Sequence, residues 1–265
     1  MYTRAAYWYQ KVVPVLEKGL TKLKVERRLT EIAKTVPEAI ATPDAAQPVK
    51  VATGEALSAG KWVDLMPLLP TSGTISIGGK RRKRRGRPTE SSWTRQDGRL
   101  IATQAKGQIL LPVAVEGDYD LQVGFTATED DYFIGLPVSK RVCLVGLNRN
   151  GASGLGRIDG KAVIHPENPT LRKHAWKPGK KYSILCKVRS SGETVTIEIL
   201  RDDQPFLNWS GNLDSLGMSG KSLEKDARPF LHFYKAGPVF HALRARLVSG
   251  KGKLFNSAES PAVTE

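Results

Sequence analysis

From Trp62 onward the chain is a succession of short stretches in which apolar and polar residues alternate, separated by Gly, Asp, Asn and Pro. About eleven such stretches follow one another: WVDLMPLL, WTRQDGRLIA, GQILLPVAV, GDYDLQVGFTA, DYFIGLPV, KRVCLVGL, KYSILCKVRS, ETVTIEIL, QPFLNWSG, RPFLHFY and PVFHALRARLVSG. A period of two sends successive side chains to opposite faces of a strand, so each stretch has one face to bury and one to leave wet. Turn residues recur at intervals of roughly 8–12 residues with no helical period between them, which leaves an antiparallel sandwich or barrel. ETVTIEIL is the cleanest case: Val195, Ile197 and Ile199 face one way, Thr194, Thr196 and Glu198 the other. The RDDQ that follows reads as a hairpin turn.

The residues before Trp62 follow other rules. Ala6, Trp8, Tyr9, Val12, Val13 and Leu16 recur at helical spacing, as do Leu23, Val25, Leu29, Ile32 and Ala33. Gly19 separates the two runs, and Thr21 is placed to cap the second. The spacing predicts a helical hairpin over 1–35, which buries too little surface to stand alone. A Pro- and Ala-rich linker is expected over 36–60 and a β-sandwich over 61–253. The polar tail from Lys251 is expected to fray, with 254–265 flexible.

Charge is unevenly spread. The 265 residues carry 41 Lys+Arg against 26 Asp+Glu, a formal +15. Seven of those cations, Lys80, Arg81, Arg82, Lys83, Arg84, Arg85 and Arg87, stand in KRRKRRGR. Like charges repel, so this run reads as a solvated loop inserted over 78–90, and as a candidate polyanion patch. Arg85-Gly86-Arg87-Pro88 matches the core of a minor-groove AT-hook, although such a short string arises easily in an Arg-rich run. A hydrophobic content of 40% excludes a disordered chain. No apolar stretch of about 18 residues exists, so no transmembrane helix is expected. Met1–Gln10 lacks the apolar core of a secretory leader, which makes the default expectation cytoplasmic, and extracellular if this is the C-terminal part of a longer protein. Cys143 and Cys186 lie in apolar strand-like runs without a C-x-x-C, which favours two buried free thiols. A disulfide would need neighbouring strands and an oxidising compartment.

The stretch from Trp62 to Lys253 resembles the concanavalin A-like, or laminin-G-like, jelly-roll domains of uncharacterised bacterial proteins. WVDLMPLL, WTRQDGRL, ILLPVAVEGDYDLQVGF, FIGLPV, SGLGRIDG, NWSG and FHALRARLVSG carry the likeness. RAAYWYQKVVPVLEKGLTKLKVERRL resembles the last helical hairpin of a tetratricopeptide-type solenoid. That likeness implies upstream repeats, or a partner, packing on it. The jelly-roll resemblance implies the fold; it does not name a ligand, because such sandwiches host lectins, hydrolases and purely structural modules. It brings in calcium as a rim ligand, with Asp130, Asp131 and Asp159 as loop candidates, although no EF-hand-like string is present.

Candidate chemistry is sparse. Glycosidases on such sandwiches use two carboxylates across a cleft, and no strand here carries that spacing. Glu129-Asp130-Asp131 and Asp202-Asp203 read as turn residues, so no catalytic residue is assigned. His232 and His241 sit in strands without acidic residues in phase and read as structural, so no metal site is assigned. Stacking on sugar rings needs exposed aromatics. Trp93, Trp176, Trp209 and Tyr234 are the candidates, with Trp176 the best placed for exposure and Trp209 half in the core. The expectation is a mainly β, concanavalin A-like sandwich acting as a non-catalytic recognition or scaffolding module with carbohydrate as candidate ligand. The alternatives are nonspecific polyanion or nucleic-acid binding through Lys80–Arg87, and a glycan-acting enzyme with an unrecognised site.

Overall fold

The computed structural model describes residues 56–76, 90–103, 107–139, 141–174, 176–217, 228–234 and 238–255, with Lys24, Arg27 and Arg28. The chain divides into two units, Met1–Val51 and Ala52–Glu265. In the first, the three described residues are exposed and have helical backbone. The rest of the expected hairpin lies outside the described residues, as does the basic run Lys80–Arg87.

The second unit is built of strands. They begin with β1 (Trp62–Asp64), β2 (Ser72–Ser76), β3 (Glu90–Gln96), β4 (Arg99–Ala102), β5 (Gly107–Leu110), β6 (Val113–Glu116), β7 (Tyr119–Thr126), β8 (Tyr132–Val138) and β9 (Arg141–Arg149). They continue with β10 (Ala152–Leu155), β11 (Arg157–Ile158), β12 (Lys161–Ala162), β13 (Arg172–Lys173), β14 (Lys181–Ser191) and β15 (Thr194–Arg201). The last are β16 (Gln204–Asn212), β17 (Phe230–Phe233), β18 (Val239–Leu247) and β19 (Lys251–Leu254). Among the described residues the pairing is antiparallel throughout these strands. A nine-stranded sheet runs β16-β15-β14-β7-β18-β4-β3-β2 with β1 also on β18, and a six-stranded sheet runs β13-β10-β9-β8-β17-β5. This is a jelly-roll sandwich of two antiparallel sheets.

The alternation seen in the sequence is what closes it. Val195, Ile197 and Ile199 are buried beside Ile184, Cys186, Val188, Leu121, Val123 and Phe125 on one sheet. Ile134, Leu136, Cys143, Val145, Leu231 and Phe233 are buried on the other. The Tyr119 hydroxyl donates to the carbonyl of Pro137 at 2.9 Å, and the rings of Phe125 and Tyr132 meet at 5.4 Å. Each of these large side chains contributes about 1.5–3 kcal/mol by leaving water. Cys143 and Cys186 are both free and buried; burial pushes the Cys143 thiol up to about 12 and Cys186 further still. Asp202 and Asp203 form the expected turn: both have positive φ (51° and 63°) between the paired residues Arg201 and Gln204, a two-residue hairpin loop of the primed type.

Three boundaries differ from expectation. The linker gives way to the sandwich before residue 61: Leu57 is buried, its N–H donates to Gly252, and Gly60 donates to Leu247. WVDLMPLL is a strand only over Trp62–Asp64; the Asp64 carboxylate then accepts from the Met66 N–H and turns the chain, while Leu65, Met66 and Leu69 plug the core. Lys251–Leu254 does not fray. Its polar residues alternate with Gly252 and Leu254, it pairs with β6 as β19, and Leu254 is buried.

β8 breaks the alternation because both its faces are covered. All seven of its residues are buried. On the outward face Phe133 lies near Val163, both within contact of the position a side chain would take at Gly146. Val163 belongs to the segment between β12 and β13, which lies over this sheet. Asn168 holds that segment in place: its amide donates to the carbonyls of Leu155 (3.1 Å) and Lys161 (3.0 Å), and its oxygen accepts from the N–H and hydroxyl of Thr170 (2.9 and 2.6 Å). Thr170 Oγ1 in turn accepts from Leu155 N–H at 2.9 Å.

Candidate functional site

One end of the sandwich gathers the loops β7–β8, β9–β10 and the residue after β17. They enclose a cleft of about 340 Å³ lined by Glu129, Asp130, Asp131, Asn148, Asn150, Gly151 and Tyr234. The β9–β10 connection is an Asn-Gly hairpin turn, with φ of 49° at Asn150 and 75° at Gly151 between the paired Arg149 and Ala152. The β7–β8 loop is fixed by Tyr132, whose hydroxyl accepts from the Thr128 N–H at 2.6 Å and also bonds the Thr128 hydroxyl. Burial raises the Tyr132 pKa, so this phenol stays protonated. Asn148 reaches the Asp130 carbonyl at 3.5 Å, while its own N–H donates to Ser153 Oγ at 3.2 Å.

Tyr234 is held edge-on by His232 (centroids 4.9 Å) and Phe133 (5.7 Å), and Arg149 lies over Phe133 at 5.8 Å. That cluster fixes the phenol ring while leaving it 42% exposed. An exposed aromatic surrounded by carboxylates and amides can take an apolar ring face and the hydroxyls around its rim.

Of the four aromatic candidates only Tyr234 faces solvent at this cleft. Trp93, Trp176 and Trp209 are 4%, 4% and 8% exposed. Trp93 sits opposite Gly73 and Ala102 on the inner face, and its indole N–H has no partner. Trp176, expected on the surface, turns inward because its indole N–H donates to the buried Ser153 hydroxyl at 3.0 Å and its ring packs on Tyr182 at 4.7 Å. Trp209 pairs with Ile197 and follows that residue into the core. Asp130 and Asp131 line the cleft, whereas Asp159 lies in the β11–β12 turn. Among the described residues no three His, Cys, Asp or Glu side chains converge as a cation site. Asn148, Asn150 and Gly151 escaped the sequence reading; the signal that could have found them is the Asn-Gly dipeptide between two strands.

A second cluster lies on the outward face of the nine-stranded sheet. The Asp120 carboxylate is fully buried there, bonded by Arg189 Nη2 at 2.6 Å and by Arg246 through Nε (3.0 Å) and Nη2. The Arg246 guanidinium stacks on the half-exposed Trp62 ring at 4.8 Å. This is an internal ion triad under an aromatic lid, and it ties β1, β18, β7 and β14 together.

Two histidines flank the cleft end. His174 lies below its ordinary pKa through partial burial and the Arg201 and Lys180 cations; His241 does so through partial burial, Lys181 and Arg99. His241 also bonds the Thr126 hydroxyl through Nε2. A histidine depressed on folding stabilises the fold fully above its unfolded value near 6.5, and this contribution is lost as pH falls through the folded value. Urea midpoints should therefore drop between about pH 7.5 and about pH 5.5, and less so in a His174→Asn/His241→Gln variant. Equal drops in both proteins would show that these rings are not responsible.

No family model matches this chain, and no curated protein sequence does. Several solved structures are similar in outline. An endo-1,3-β-glucanase from Streptomyces sioyaensis aligns with 76% of this chain and 100% of its own at 8% identity, TM-score 0.43. Lectin II from Ulex europaeus aligns with 71% and 99% at 9% identity, TM-score 0.42. The Caenorhabditis elegans galectin LEC-6 aligns with 56% and 95% at 14% identity, TM-score 0.33. The chain's own register and burial define it as a jelly-roll antiparallel β-sandwich.

Proposed function

We propose that the sandwich is a non-catalytic glycan-recognition module whose site is the cleft at Tyr234. One observation carries this reading: the exposed Tyr234 ring stands beside the amides of Asn148 and Asn150 and the carboxylates of Glu129, Asp130 and Asp131. A sugar presents an apolar C–H face and a rim of hydroxyls that both donate and accept. Aromatic rings suit the face; carboxylates and amides suit the rim. The ring is braced by His232 and Phe133, so little side-chain freedom is lost on binding. Screening neutral and acidic oligosaccharides on a glycan array identifies the ligand, and Tyr234→Ala should then weaken binding by about tenfold or more, in line with the cost of truncating a central aromatic. Undiminished binding by Tyr234→Ala overturns the reading.

A further inference from the structure

Between Glu167 and Glu193 the chain contains no acidic residue and seven cations: Arg172, Lys173, Lys177, Lys180, Lys181, Lys187 and Arg189. Lys187 pairs with Glu198 and Arg189 with Asp120. The other five form no ion pair among the described residues. Lys173, Lys177, Lys180 and Lys181 are exposed. These five flank the β13–β14 connection, and that connection abuts the cleft. Lys173 pairs with Ala152, the residue after Gly151, and the His174 N–H donates to the Gly151 carbonyl at 3.1 Å. Trp176 anchors the same connection to Ser153. The positive field is felt by both neighbouring histidines, His174 through Lys180 and His241 through Lys181.

We infer that Arg172, Lys173, Lys177, Lys180 and Lys181 form a cationic ridge beside the cleft, and that the glycan taken there is an acidic polysaccharide. This rests on the cleft being a glycan site. The work divides by chemistry: the cleft, lined by carboxylates and amides, reads hydroxyls and repels acidic groups, while the ridge takes the carboxylates or sulfates of adjoining residues. The Trp176 and Tyr182 rings beneath the ridge are buried, so neither offers a face for stacking nucleic-acid bases. Lysines on a surface turn hold anions as point charges, which suits a repeating acid whose spacing is not fixed.

The test compares oligogalacturonate with its methyl-esterified, uncharged counterpart, and dextran sulfate with dextran, by calorimetry at low and high salt. The acidic member of at least one pair should bind about tenfold more tightly at low salt, and the advantage should shrink as salt rises. Which pair responds tells carboxylate from sulfate. The variant Lys173→Ser/Lys177→Ser/Lys180→Ser should erase the advantage, and the corresponding triple Arg variant should keep it. A melting curve close to wild type shows that the Ser variant remains folded. Equal binding of charged and uncharged members overturns the ridge and leaves the cleft reading standing. Loss on deleting Lys80–Arg87 but not in the Ser variant also overturns it, as does tighter binding of duplex DNA of matched charge. If no member of either pair binds, the ridge inference is overturned, while the cleft reading is decided separately by the array and Tyr234→Ala.

Discussion

Asp120→Ala lowers the stability of the sandwich by about 3 kcal/mol, read as a reduced urea midpoint at unchanged slope. The carboxylate is fully buried and is the shared acceptor of Arg189 and Arg246. Removing it leaves two guanidinium groups facing each other over an apolar gap. Their partial exposure lets water reach them, which keeps the loss at the lower end of what an orphaned buried charge costs. Arg189→Ala and Arg246→Ala should each cost less, because the remaining arginine still satisfies Asp120. Arg246→Ala also strips the cation from the Trp62 ring, so Trp62 fluorescence should change in that variant and not in Arg189→Ala. A loss below about 1 kcal/mol for Asp120→Ala would mean the triad is no better than a surface pair.

Asn168→Ala has a comparable effect by a different route. Four hydrogen bonds converge on one buried amide, and truncation leaves the carbonyls of Leu155 and Lys161 and the N–H of Thr170 without that partner. Each buried polar group so abandoned costs about 1–3 kcal/mol, offset where Thr170 and water move in, so a total of about 3 kcal/mol is expected. The damage should be local. Amide exchange should accelerate across residues 156–171 and along the outward face of β8, while β14 and β15 keep their protection. Uniform acceleration would show that this segment is not a separate cover on the six-stranded sheet.

Much of the fold was legible because alternation is a direct record of one-sided burial. Val195, Ile197 and Ile199 could be assigned to the core from spacing alone, and the Asp202-Asp203 turn followed from composition. Where both faces are covered the record is lost: DYFIGLPV reads as an apolar run, and nothing in it names Val163 as part of its cover. Strand ends were misplaced where a single contact decides them. Leu57 lies among small and polar residues and Leu254, with Phe255, follows a Lys-Gly-Lys run; only pairing with Gly252 and Val113 brings Leu57 and Leu254 into the sandwich.

The sequence marked Tyr234 as a stacking aromatic and Asp130 and Asp131 as rim-loop carboxylates, but not that the three meet at one cleft. Aromatic type pointed to four residues, but exposure depends on tertiary contacts such as the Trp176–Ser153 bond, which joins residues 23 apart in sequence. Tyr234 alone among them stays in solvent at the cleft, since the strand that carries it ends at Phe233. The cations of 172–181 went unread for the opposite reason. They are interleaved with His, Ala, Trp, Pro and Gly, and become one ridge only when β13 and β14 bring them to the same end.

The central claim is that a glycan occupies the cleft at Tyr234. Amide chemical-shift mapping during titration with an oligosaccharide selected on the array tests it most directly. The predicted result is a set of saturable shifts confined to Thr128–Asp131, Asn148–Gly151 and Tyr234, with smaller changes in the β13–β14 connection, all lost in Tyr234→Ala. Shifts centred elsewhere, on the Trp62–Arg246 face or the β2–β3 hairpin, with the cleft resonances unmoved, would contradict it.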